Sequence, residues 1–245
     1  MTKKLVLLLA AFALIACGDK KETDGSAETG AGSVIENPTE QSEGVTPAVG
    51  ATAELTGDDV SSLPPLPETI TKEFIMGLWA KPHDGRDIIK ELANVCVREG
   101  VWKVVTTTGP DKREMSDTSE ASMIVKMVDR RFQVWQWSVG QHIEYSFVTY
   151  DYDAKRYRWW GVLPDGFIME WSGRRYWRNL MEWETVKVPE EDVRMTAREV
   201  FLSEDRKKLK MAGEIKRDDE VVAYRKDEFT WLSELPEERR LPEVK

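Results

Sequence analysis

The sequence predicts a mainly β domain, an antiparallel up-and-down meander that forms a closed or nearly closed barrel, with one or two short helices before it. Three observations point there. Apolar and polar residues alternate with period two through most of the chain after residue 95, as half-buried strands require. Turn residues punctuate those segments at short intervals: Asp151 to Lys155, Pro164-Asp165-Gly166, Ser203 to Arg206 and Arg217 to Asp219. All ten tryptophans lie from Trp79 onward, so the capacity to build a core is confined to one stretch of about 180 residues, a single-domain length.

Element by element, Ile70 to Trp79 and Arg86 to Ala93 carry helical spacing, interrupted by Lys81-Pro82-His83-Asp84-Gly85, and are placed as two short helices at one barrel end. Strands follow over 95–107, 119–128, 131–139, 142–151, 156–163, 166–172, 180–188, 193–202 and 208–216, with a tenth near 220–232. Leu209, Met211, Gly213 and Ile215 share one face, as do Phe167, Met169 and Trp171, while Ile143, Tyr145 and Phe147 alternate with Glu144, Ser146 and Val148. Short links between consecutive strands favour hairpins, and nine or ten such strands close or curl into a cup.

The N-terminus carries a different message. Lys3 and Lys4 precede an uninterrupted apolar run, Leu5 to Ile15, which is too short for a membrane-spanning helix and has the length of a signal-peptide core. It ends in Leu14-Ile15-Ala16-Cys17, which resembles the lipobox of bacterial lipoproteins. The resemblance implies cleavage before Cys17, a signal peptide over 1–16 and lipid on the Cys17 thiol; several acyl chains together anchor durably. Asp19 falls one place beyond the position that retains enterobacterial lipoproteins in the inner membrane, which points to the outer membrane, facing the periplasm.

Residues 17–65 are the lipidated cysteine and an acidic tether. From Gly18 onward this segment holds ten acids, two lysines and no aromatic residue. It cannot bury enough apolar surface to offset its ordering entropy, so disorder is expected, with a span of roughly 35–40 Å as a flexible coil. The globular domain is placed at 66–245. With Cys17 lipidated, Cys96 has no intramolecular partner and reads as a small buried hydrophobe.

Within the domain, Gly100-Val101-Trp102, Tyr150-Asp151-x5-Tyr157, Trp159-Trp160 and Glu170-Trp171-Ser172-Gly173 resemble a bacterial family of unknown function with a lipocalin-like (calycin) barrel. The resemblance covers roughly 95–232 and implies the barrel and no catalytic residues. The chain departs from it after Gly173, where Arg174-Arg175-Tyr176-Trp177 replaces a glycine-rich turn and the strand is expected to end, and in a long 184–193 connection.

Chemistry-bearing motifs are sparse. His83 and His142 lack ligand partners at metal-site spacing, so neither metal nor cofactor is implied. No nucleophile elbow or phosphate loop occurs, and no catalytic residue is assigned. Asp151-x-Asp153 lacks the rest of a calcium loop, and Glu182 and Glu184 read as solvated carboxylates. Arg156-Tyr157-Arg158-Trp159-Trp160 and Arg174-Arg175-Tyr176-Trp177-Arg178 interleave cations with rings, but a net charge of −9 on an exported chain argues against nucleic acid. Three functions stay open: a barrel holding an apolar or amphipathic ligand among Trp135, Trp137, Trp159, Trp160 and Trp171; an envelope module docking protein or glycan through Arg174, Arg175 and Arg178; and an enzyme.

Overall fold

The computed structural model describes residues 63–83, 88–93, 97–177 and 179–236. The segments read as signal peptide (1–16) and, for the most part, as tether (17–65), with Cys17, Cys96 and Arg178, lie outside the described residues. Helix α1 spans Lys72–Ala80 and α2 Lys90–Ala93. Ten strands follow: β1 (Gly100–Gly109), β2 (Asp117–Val128), β3 (Phe132–Val139), β4 (His142–Asp151), β5 (Arg156–Val162), β6 (Ile168–Trp177), β7 (Leu180–Lys187), β8 (Val193–Phe201), β9 (Lys208–Arg217) and β10 (Glu220–Ser233). Each pairs antiparallel with the next, and β10 pairs back onto β1, from Val101↔Ser233 to Gly109↔Tyr224, so the sheet closes into a barrel with no free edge. Local turn chemistry sets the register. Arg217 faces Glu220 across Asp218 and Asp219, whose φ of 49° and 67° suit a two-residue hairpin that follows the strand twist.

Two differences from the sequence expectation are informative. Strand β6 does not end at Gly173 but runs four residues further, to Trp177. Gly173 is a packing position inside the strand: a Cβ there would lie 2.6 Å from the Trp183 ring of the neighbouring strand, so glycine leaves room for that indole. The connection before β8 is correspondingly short, five residues between Lys187 and Val193. The first helix begins later than its periodicity suggests because Thr71 caps it, its hydroxyl accepting from the Phe74 N–H at 3.2 Å.

Alternation divides the domain into a lumen and an outer layer. Trp102, Met123, Trp135, Trp159, Trp171, Trp183, Met195, Met211 and Ile215 belong to one buried cluster on the inner face. On the outside of β2–β5, Val128, Phe132, Val134, Phe147, Trp160 and Val162 face outward yet are buried, because α1 lies across them with Ile75, Leu78 and Trp79. Burying each of those three side chains contributes roughly 1.5–3 kcal/mol. Lys126, 2% exposed, secures the end of α1: its ammonium donates to the carbonyls of Trp79 and Lys81 and sits 4.6 Å from the Trp79 ring centre. A cation satisfying the last carbonyls of a helix also opposes the dipole there.

The barrel ends are unlike. Residues 88–93 and 97–99 lie at one of them. Ile89 and Leu92 are fully buried against Leu63 and Met127. Tyr157 Oη donates to Glu91 O at 3.0 Å, Gln133 Nε2 to Val97 O at 2.8 Å, Arg206 Nη1 to Ala93 O at 2.6 Å and Trp231 Nε1 to Glu99 O at 3.0 Å. Barrel side chains thus supply the donors that the irregular backbone of this plug requires. The far end is fringed by the β1–β2, β3–β4, β5–β6, β7–β8 and β9–β10 connections, and no described helix crosses it.

Candidate functional site: the lumen and its far end

Of the five tryptophans singled out in the sequence, four share the lumen and one does not. Trp135 and Trp159 lie 5.3 Å apart, Trp159 stacks on Trp171 at 5.6 Å, and Trp137 contacts Trp135 at 5.9 Å. Trp137 also reaches Phe229, at 5.9 Å, joining β3 to β10 through the interior. Trp160 points outward, stacks on Phe147 at 5.0 Å under α1 and is capped by the Arg158 guanidinium at 4.6 Å. Strand alternation requires this split, since neighbours in one strand occupy opposite faces.

These rings fill most of the barrel. A cavity of about 30 Å³ remains in the far half, against β8–β10, partly open to solvent. Its walls include Trp171, Met195, Ala197, Met211, Ile215 and the Arg225–Asp227 pair. That volume accommodates one or two waters, well short of the roughly 300–1,000 Å³ of an ordinary ligand pocket. Two of its walls are methionine side chains, which change rotamer readily.

Charged groups also face this lumen. Asp227 is buried; Arg225 Nε donates to its two carboxylate oxygens at 2.9 and 2.8 Å, and the Thr106 hydroxyl donates at 2.6 Å. Glu144 stands opposite Trp137 on β4, four strands away around the wall, so its carboxyl faces the same interior. It makes no hydrogen bond among the described residues. Burial pushes its pKa up to about 7, against the opposing pull of Arg225. Glu199, nearer the plug and fully sealed, is also raised to about 7 by burial, with Trp183 Nε1 donating to it at 2.8 Å.

The sequence reading did not single out Glu144, Arg225, Asp227 or Glu199. In β4 the apolar series Tyr145 and Phe147 is the outer one, under α1, so the series Glu144, Ser146 and Val148 is the inner one. The usable signal was α1 itself, whose apolar residues need an apolar outer wall.

The basic hairpin lies elsewhere. Arg174 is exposed near the β6–β7 turn, beside Tyr176 and Trp177, and Arg175 Nε donates to Trp177 O at 3.1 Å. Arg178 is not described. Glu182 pairs with Arg198 at 2.8 Å on the outer surface, and Asp151 Oδ1 accepts from the amides of Asp153 and Ala154, closing a turn. Among the described residues no cluster of three or more His, Cys, Asp and Glu converges as a metal ion requires.

No family model and no curated protein matches the chain. Among solved structures, it is similar to a protein of unknown function of the DUF3598 family from Nostoc punctiforme, at 10% identity and a TM-score of 0.40. The match covers 62% of this chain and 50% of that one, so the chain spans about half the length of that structure.

Proposed function

We propose that this protein is a lipid-anchored envelope protein whose barrel binds a small amphipathic molecule through its far end. The observation that carries the binding reading is Glu144: a partly buried carboxyl facing the lumen without a hydrogen-bond donor. Solvent reaches this carboxyl only in part, so a ligand amine that donates to it forms a charge-assisted hydrogen bond in a drier setting than bulk water. Across the lumen, the buried Arg225–Asp227 pair carries a desolvation penalty that apolar replacements would avoid, so it is weak as a stability device. Two carboxyls and one guanidinium favour a head group that donates hydrogen bonds, an amine above all. Trp171, Met195, Met211 and Ile215 would take the apolar part, with the methionines moving to widen the cavity. The anchoring half rests on the Lys3-Lys4, Leu5 to Ile15 and Cys17 pattern.

Titrating tryptophan fluorescence with octylamine and octanoate tests the binding half. The expected outcome is a saturable change with octylamine that tightens as pH rises through about 7, because a cation binds the charged carboxyl best. Glu144→Gln should abolish that pH dependence. Equal, unsaturable responses to both amphiphiles would refute it. Palmitate labelling that depends on Cys17 tests the anchor.

A further inference from the structure

The plugged end carries a second surface. There Trp177 is 71% exposed and the adjoining Tyr176 57%, on the β6–β7 hairpin. Leu202 in the β8–β9 turn and Leu232 late in β10 are exposed at the same end, 56% and 55%. Hydrogen bonds join these turns into one sector: Phe201 N donates to Asn179 O at 3.1 Å, and Trp231 N to Lys207 O at 2.9 Å. Single exposed apolar residues need no explanation. A tryptophan and a tyrosine side by side, with Leu202 and Leu232 on the adjoining elements, form an extended apolar surface, rimmed by exposed charges of both signs: Arg174 and Lys208, and Glu204, Asp205 and Glu234.

The chain itself indicates what covers it. Leu63 packs beside Ile89, Leu92 and Met127, and Pro64 O accepts from Arg131, so the polypeptide enters the barrel at this end. Sixteen residues of signal and a tether precede it in the sequence, with Cys17 at their junction. We infer that the sector bearing Tyr176, Trp177, Leu202 and Leu232 is a lipid-surface contact that seats the plugged end on the bilayer holding the anchor. Indole and phenol rings favour the headgroup layer, and the mixed charges around them leave the rings and leucines to carry the contact. A tether that keeps the barrel within roughly 40 Å of the surface lets a weak contact suffice, since the second attachment is intramolecular. The far end then faces the aqueous compartment, from which a ligand enters. This inference rests on the lipoprotein reading.

The test uses the mature chain, residues 17–245, with Cys17→Ser so that no acyl group contributes, and vesicles of phosphatidylethanolamine and phosphatidylglycerol with or without brominated chains. Brominated lipid should quench the fluorescence of the parent chain, and Trp177→Phe should remove the larger part of that quenching, the remainder coming from the half-buried Trp231 at the same end. Tyr176→Ala with Trp177→Ala should lower the partition coefficient roughly ten-fold, while the thermal midpoint stays unchanged because both side chains are exposed. No binding to these vesicles, or undiminished binding by the double variant, overturns the inference. Loss of envelope association in cells by a double variant whose parent ignores vesicles also overturns it, and assigns the sector to a protein or glycan. Palmitate labelling at Cys17 is read separately: labelling without vesicle binding sinks the surface contact alone, and vesicle binding without labelling sinks the anchor alone.

Discussion

The two lumenal glutamates show how differently the barrel treats its ends. Glu199 lies in the plugged half, sealed from solvent and given an indole N–H at 2.8 Å. Glu144 lies in the far half, partly accessible and without a donor among the described residues. Burial raises both to about 7. The plugged end has spent its polar groups on internal partners, such as Tyr157, Gln133 and Arg206 on plug carbonyls. The far end keeps Glu144 available. The lumen thus pairs its polar groups with internal partners at the plugged end and leaves one carboxyl without an internal donor at the far end.

Removing the plug's packing should have the largest effect. Leu92→Ala leaves a hole among Leu63, Ile89 and Met127, and is expected to cost about 2–5 kcal/mol in denaturant unfolding. An unchanged midpoint would mean that residues 88–93 are an ornament and the ends are equivalent.

Glu199→Gln sharpens the comparison through pH. With a folded pKa near 7 against an ordinary 4.5, the folded chain retains a proton that the unfolded chain releases between those values. Stability therefore falls as pH rises through that window, and the penalty is complete above about 7, roughly 3 kcal/mol. Glutamine still accepts from Trp183 and does not titrate. The variant should match the parent at pH 4.5 and exceed it at pH 8 by a gap of that order. Parallel curves would show that Glu199 is not sealed.

Asp227→Asn weakens the bonds from Arg225 and Thr106 and should cost about 1.5–3 kcal/mol. The loss should shrink in Arg225→Met, where no guanidinium is left unpaired; equal losses in both backgrounds would mean the pair acts independently of its charge. Glu144→Gln should have the smallest effect on stability, under about 1 kcal/mol at pH 7, while changing amine binding most.

Much of this fold was legible in the sequence because hairpin strands declare themselves locally. Every expected strand corresponds to an observed one, and the turns at Asp151 to Lys155, Pro164 to Gly166 and Asp218-Asp219 separate them as their residues require. The end of β6 was not legible, because Gly173 as a strand breaker and Gly173 as room for the Trp183 ring look identical until β7 is paired beside it. The site was legible only in its rings. Period-two patterning establishes that Tyr145 and Phe147 share a face, but the partner that makes that face the outer one is α1, some 70 residues earlier. Arg225 and Asp227 lie in the tenth strand, and it is barrel closure against β1 and β9 that turns them inward.

The claim that a ligand enters the lumen at the far end is tested most directly by filling the cavity. Ala197 lines it from β8, and Ala197→Val adds two methyl groups to that wall; Ile215→Phe is a second filler should the first disturb Gly213. Octylamine affinity is then measured by calorimetry on parent and variants, with thermal midpoints as the folding control. The account predicts that a variant folding as well as the parent binds at least roughly ten-fold more weakly. Unchanged affinity in a well-folded, cavity-filled variant would place any binding outside the barrel and contradict it.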